Sequence, residues 1–109
     1  MKRTTETVLV TLCTCPDEAS ALKLAGGLVE ERLAACVNIL PGVRSVYRWK
    51  GKTCDDAEVL MVIKSLSGVH DALESWLTKN HPYDVAEVVA LPASCVSAEY
   101  LAWLESTVA

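Results

Sequence analysis

The chain has 109 residues, 51% hydrophobic and 22% charged, with ten basic against fourteen acidic side chains and a net charge of −4. A length of that order suits a single domain, residues 1–109, that buries roughly two-thirds of its unfolded surface. The acidic balance argues against nucleic acid or an anionic membrane as partner, since both call for a basic face, and no apolar run approaches a membrane span.

The start has the charged flank of a targeting peptide but not its core, because Val8 to Leu12 is short and interrupted by Thr11. Residues 7–14, TVLVTLCT, are β-branched and apolar and predict a strand. Pro16 supplies a first helical position, with Asp17 and Glu18 complementing the positive end of the helix dipole. In the stretch that follows, Ala21, Leu22, Ala25, Leu28, Val29 and Leu33 form the expected buried stripe. Gly26 and Gly27 in mid-helix point to close packing against a neighbour.

The segment ACVNILPGVRSVYRWKGK predicts a long strand broken at Pro41-Gly42, then a hairpin turn around Lys50-Gly51-Lys52. Alternation sets Val43, Ser45, Tyr47 and Trp49 on one face and Arg44, Val46, Arg48 and Lys50 on the other. Residues 58–65 form the return strand, and Asp55-Asp56-Ala57-Glu58 is expected to be a solvated loop. A second helix carries Val69, Leu73, Trp76 and Leu77 at helical spacing and stops at Asn80, before His81-Pro82. His70 is expected to be exposed in its first turn. Residues 86–92 predict a fourth strand, and Ser97 the N-cap of a terminal helix. Trp76 and Trp103 are assigned to the core.

The order is βαββαβ plus a tail helix, an α+β, ferredoxin-like arrangement with two helices on one face of an antiparallel sheet. Val59 to Ile63 is apolar on both strand faces, yet two helices cover only one. The other face calls for the tail helix or another subunit, and self-association is expected.

The blocks LCTCPDEASA, ERLAACVNILPGVRSVYRWKGK, HPYDVAEVVALP and EYLAWL, in that order from Val8 to Leu104, resemble the CutA family of divalent-cation tolerance proteins. The resemblance implies a ferredoxin-like homotrimer joined by strand pairing, a cytoplasmic role in tolerance of copper and other divalent cations, and no settled enzymatic activity. It also implies a likeness to the PII signalling proteins in fold and assembly. The family's copper ligands, a cysteine at the end of the first strand and a histidine pair before Pro-Tyr, fall on Cys13, Asn80 and His81. Asn80 replaces the first histidine, Ala86 a proline and Val96 a glycine.

Five cysteines, at 13, 15, 36, 54 and 95, are an odd number in a chain that needs no staples, and reduced thiols in a cytoplasmic protein follow. Cys13 and Cys15 project from one face of a regular strand, where two thiolates suit a soft ion such as Cu(I). Cys13 and His81 are the candidate metal ligands, with weak binding expected from so few donors. Cys15 has the alternative of packing as a small hydrophobe. A redox pair or a cysteine nucleophile lacks the usual spacing or an evident orienting group. Glu87, alternating with Val89 and Leu91, is expected to point inward, and Lys64 is its candidate partner. Lys64, Tyr83 and Glu87 would then form a small-anion site in a cleft between subunits, the alternative function suggested by the likeness to PII proteins. The interleaved basic and aromatic residues of RSVYRWKGK are separated by strand alternation, so a nucleic-acid platform is not expected. No protein partner other than a second copy of the chain can be read from it.

Overall fold

The computed structural model describes residues 6–108; the charged start at 1–5 lies outside the described residues. Strand β1 (Val8–Cys15) leads to helix α1 (Glu18–Glu30), then strands β2 (Cys36–Trp49) and β3 (Lys52–Leu66). A 3-10 turn (Ser67–Val69) opens helix α2 (His70–Asn80), followed by strand β4 (Val89–Pro92) and helix α3 (Ala98–Thr107). The strands form one antiparallel sheet in the order β2-β3-β1-β4. This is the expected α+β, ferredoxin-like arrangement with a C-terminal helix.

Helix α1 begins two residues later than the sequence suggests. Asp17 is its N-cap, its carboxylate accepting the Ser20 N–H at 2.7 Å, and Pro16 stands outside the helix. That bond holds the Asp17 carboxyl below its ordinary range. The helix ends at Glu30 because Arg32 takes a left-handed backbone, φ 59°, and turns the chain away. The buried stripe is Ala21, Leu24, Ala25 and Leu28. Leu22 and Val29, expected inside, are 63% and 45% exposed, since they lie about 100° around the helix from the contact line set by the other four.

The hairpin is longer than expected. It turns at Lys50 and Gly51, both at positive φ (50° and 78°), a two-residue turn whose twist suits the flanking strands. Pairing runs from Trp49↔Lys52 to Cys36↔Lys64, so Asp55 and Asp56 are strand residues rather than a loop. Pro41-Gly42 does not break β2. The pairs Leu40↔Leu60 and Val43↔Glu58 leave one extra residue on β2, a bulge. Arg44 donates to Asp55 at 2.6 Å, and Tyr47 O–H to Asp56 at 2.5 Å. The Asp56 bond pushes the Tyr47 hydroxyl up to about 12.

Strand β4 is shorter than expected, four residues, paired with β1 from Leu12↔Val89 to Leu9↔Pro92. His70 is half-buried, not exposed: its Nε2 lies 3.5 Å from Glu74, and its Nδ1 is buried without a partner among the described residues. Ser97 occupies the N-cap position of α3 but its side chain makes no cap bond. Trp103, expected in the core, is 43% exposed, while Leu104 on the same helix is fully buried with Val8, Ala35, Leu66 and Val108. The Arg32 guanidinium donates to the carbonyls of Ser106 and Thr107, capping the negative end of α3.

The two faces of the sheet differ. Helices α1 and α2 pack on the face that carries Cys13, Cys15, Val59, Met61 and Ile63. The opposite face carries Val10, Leu12, Leu60, Val62, Val89 and Leu91, and Val89 and Leu91 are nearly half exposed. Where α1 crosses α2, Gly27 faces the Trp76 ring, and an added Cβ would come within 2.3 Å of it. Gly26, beside it, has nothing within 4 Å. Gly27→Ala is therefore expected to destabilise the fold by about 2 kcal/mol through overpacking. Gly26→Ala should be neutral or stabilising by up to about 1 kcal/mol. Urea unfolding followed by tryptophan fluorescence measures both, and equal effects at the two sites would refute the packing account.

Candidate functional site

Strand alternation turns Cys13 and Cys15 inward, and both are fully buried. Helix α2 stops at Asn80, and His81 takes an extended backbone that lays its ring over the end of β1, leaving the residue 8% exposed. The two sulfurs and a ring nitrogen of His81 all lie within 4.8 Å of one another, and Cys15 Sγ is 3.9 Å from His81 Nε2. Asn80 does not join them; its amide donates to the Trp76 carbonyl on its own helix.

The hydrogen bonds of His81 settle its tautomer. Tyr83 N–H donates to Nδ1 at 3.0 Å, so Nδ1 is the bare acceptor. Nε2 then carries the proton and donates to the Thr14 carbonyl at 2.9 Å. The two thiols are coupled. The hydrogen bond to Cys15, then burial, raises the Cys13 thiol, while the same bond lowers Cys15. Cys15 is thus the thiol that gives up its proton first. Two sulfurs and an imidazole are a soft donor set suited to Cu(I). His81 would join it through Nε2 only after losing the proton now held toward Thr14.

On the opposite face of β1 lies a groove of about 550 Å³, lined by Thr14, Tyr47, Trp49, Glu58, Tyr83, Asp84 and Glu87 among others. Glu58 is 9% exposed and accepts the Tyr83 hydroxyl at 2.5 Å. Burial, then this bond, push the Tyr83 hydroxyl above its ordinary value. The Tyr83 ring stands 4.9 Å from that of His81, so this residue touches both the buried cluster and the groove. Thr14 does likewise, with its carbonyl on His81 and its hydroxyl 3.5 Å from Glu87.

Glu87 shares a face with Val89 and Leu91, as alternation requires, but that face is the helix-free one, so the carboxylate does not point into the core. Nor does it meet Lys64 within the subunit. Lys64 pairs across from Val10 and Cys36 and donates to Asn38, whereas Glu87 lies beside Thr14. Four residues of β1 separate those positions, about 13 Å. Two participants escaped the sequence reading. Glu58, which opens the expected return strand, was grouped with the solvated acidic residues before it, although its place at the head of an apolar strand was a signal. Thr14 contributes through its carbonyl, which no side-chain pattern reveals.

The family described as CutA1 divalent ion tolerance protein matches residues 9–107. The chain belongs to that family. It is 48% identical over 99 residues to the divalent-cation tolerance protein CutA of Pectobacterium atrosepticum, covering 91% of this chain and 90% of that protein. A chloroplastic CutA 1 of rice is 45% identical over 98% of this chain, which spans only 62% of that relative's length. The solved CutA1 of Thermus thermophilus superposes with a TM-score of 0.91 at 44% identity, covering 94% of this chain and 99% of that one. No helix among the described residues is long and apolar enough to cross a membrane.

The Tyr83–Glu58 bond has a measurable signature in this CutA family member. Tyr83→Phe leaves Glu58 without its donor and should cost about 1–3 kcal/mol at neutral pH. An unfolded tyrosine ionises near pH 10, whereas folded Tyr83 holds its proton to higher pH. The folded chain thus binds the extra proton above that point, and this contribution to stability fades as pH rises. The gap between wild type and Tyr83→Phe, from urea unfolding between neutral and strongly alkaline pH, should be constant below about pH 10 and narrow above it.

Proposed function

We propose that this chain serves divalent-cation tolerance as a cytoplasmic homotrimer whose subunits each bind copper weakly, as Cu(I), at Cys13, Cys15 and His81. The observation that carries the proposal is the convergence of two buried sulfurs and one imidazole within 4.8 Å. Weakness follows from the same geometry. An incoming ion must displace thiol protons and the Nε2 proton that satisfies Thr14, and only three donors replace them. Five cysteines, all free, support a reducing compartment.

Binding rather than catalysis is inferred because both ring nitrogens of His81 are engaged by backbone groups, which leaves no free base beside the thiols. The trimer is supported by the apolar, helix-free face of the sheet, where Leu40, Val89 and Leu91 are each 44–48% exposed. The alternative of a small anion held between subunits by Lys64, Tyr83 and Glu87 would require Lys64 to arrive from another copy.

Competition between reduced protein and a Cu(I) chelator tests the metal proposal. Wild type should take up one ion per subunit, more tightly as pH rises, because binding releases protons. Cys13→Ser with His81→Ala should lose about tenfold or more in affinity. Equal uptake by both proteins, with native mass unchanged, would show that the cluster is packing only.

Leu91→Glu tests the assembly. The charge placed on the helix-free face should shift the native mass, read by light scattering, from three subunits to one. A monomeric wild type would refute the trimer.

A further inference from the structure

The groove on the helix-free face carries a chemistry of its own. Three of its side chains are carboxylates, Glu58, Asp84 and Glu87, and no lysine or arginine lines it among the described residues. None of the three pairs with a cation among the described residues. Glu58 is the most telling. It is nine-tenths buried, one oxygen takes the Tyr83 hydroxyl, and its second oxygen has no hydrogen-bond partner among the described residues.

The remaining walls are aromatic. Tyr47 and Trp49 are 42% and 44% exposed, and Tyr83 also lines the groove. Lys50 Nζ already sits 6.0 Å from the Trp49 ring centroid, so that ring accepts a cation where it stands. Carboxylates set among π faces attract a positive ligand and repel a negative one. A volume of about 550 Å³ is that of a small-molecule site.

We propose that this groove binds a small organic cation, an alkylammonium, with Asp84 and Glu87 meeting the ammonium hydrogens, the free oxygen of Glu58 closing the base, and the aromatic side chains covering the alkyl portion. The ligand is thus opposite in charge to the anion that the Lys64, Tyr83 and Glu87 set would hold. The site is distinct from the thiol and imidazole cluster, which lies on the other face of β1, although Thr14 and Tyr83 border both.

Calorimetric titration of the native oligomer with putrescine tests it, in excess chelator and about 150 mM salt, where nonspecific attraction is screened beyond about 8 Å. Butane-1,4-diol and succinate, of the same length but neutral or negative, are the controls. Saturable uptake of putrescine alone is expected, weakened about tenfold or more by Asp84→Asn with Glu87→Gln. A wild-type measurement stands beside the variant: putrescine should shift the Trp49 indole resonance and leave those of Trp76 and Trp103 in place. Absence of saturable putrescine binding, preference for succinate, or a Trp49 resonance that does not respond would each overturn the proposal. Closure of the groove by a second copy of the chain would appear as the first of these.

Discussion

The hydrogen bond from His81 Nε2 to the carbonyl of Thr14 ties the end of α2 to the last residues of β1. Without it the imidazole would lose its direct tie to β1 beside the two sulfurs, and Tyr83, whose N–H donates to the same ring, would keep only its hydroxyl bond to Glu58 as a tie to the sheet. The buried cluster on one face of the strand and the groove on the other both depend on this contact. It also decides which ring nitrogen carries the proton, and so what an ion entering the cluster must displace.

Strand alternation and helical periodicity were enough to foresee the element order, the placement of Cys13 and Cys15 on one face, and the two-sided apolar character of β3. These follow from local backbone geometry. The family blocks placed His81 near the cysteines. What could not be read depends on which direction an element faces once packed. Leu22, Val29 and Trp103 are as hydrophobic as their buried neighbours, yet a helix buries only a limited stripe. Glu87 was placed correctly beside Val89 and Leu91, but alternation does not say which face of a sheet the helices will cover.

The site shows the same limit more sharply. Thr14 acts through a backbone oxygen, and Glu58 through a bond to a tyrosine 25 positions away. Only tertiary packing brings such partners together. Lys64 and Glu87 were matched by charge, but the register of β1 with β3 and β4 sets them at opposite ends of one face. Complementary charge identified two residues in need of partners without identifying the partners.

The bulge between Leu40 and Val43 works as a change of phase along β2. Before it, even-numbered residues look toward the helix-free face; after it, odd-numbered residues do. Loss of one residue at Pro41 or Gly42 would remove the bulge and restore plain alternation from Leu40 to Val43, leaving Ser45, Tyr47 and Trp49 on the face they now occupy. Loss of both would turn every later side chain over, so that Arg44, Val46 and Arg48 would stand where Ser45, Tyr47 and Trp49 now line the groove, and its aromatic wall would be exchanged for a basic one. The face that the hairpin presents is therefore set by the number of residues between Leu40 and Val43, a constraint on insertions and deletions that no single side chain imposes.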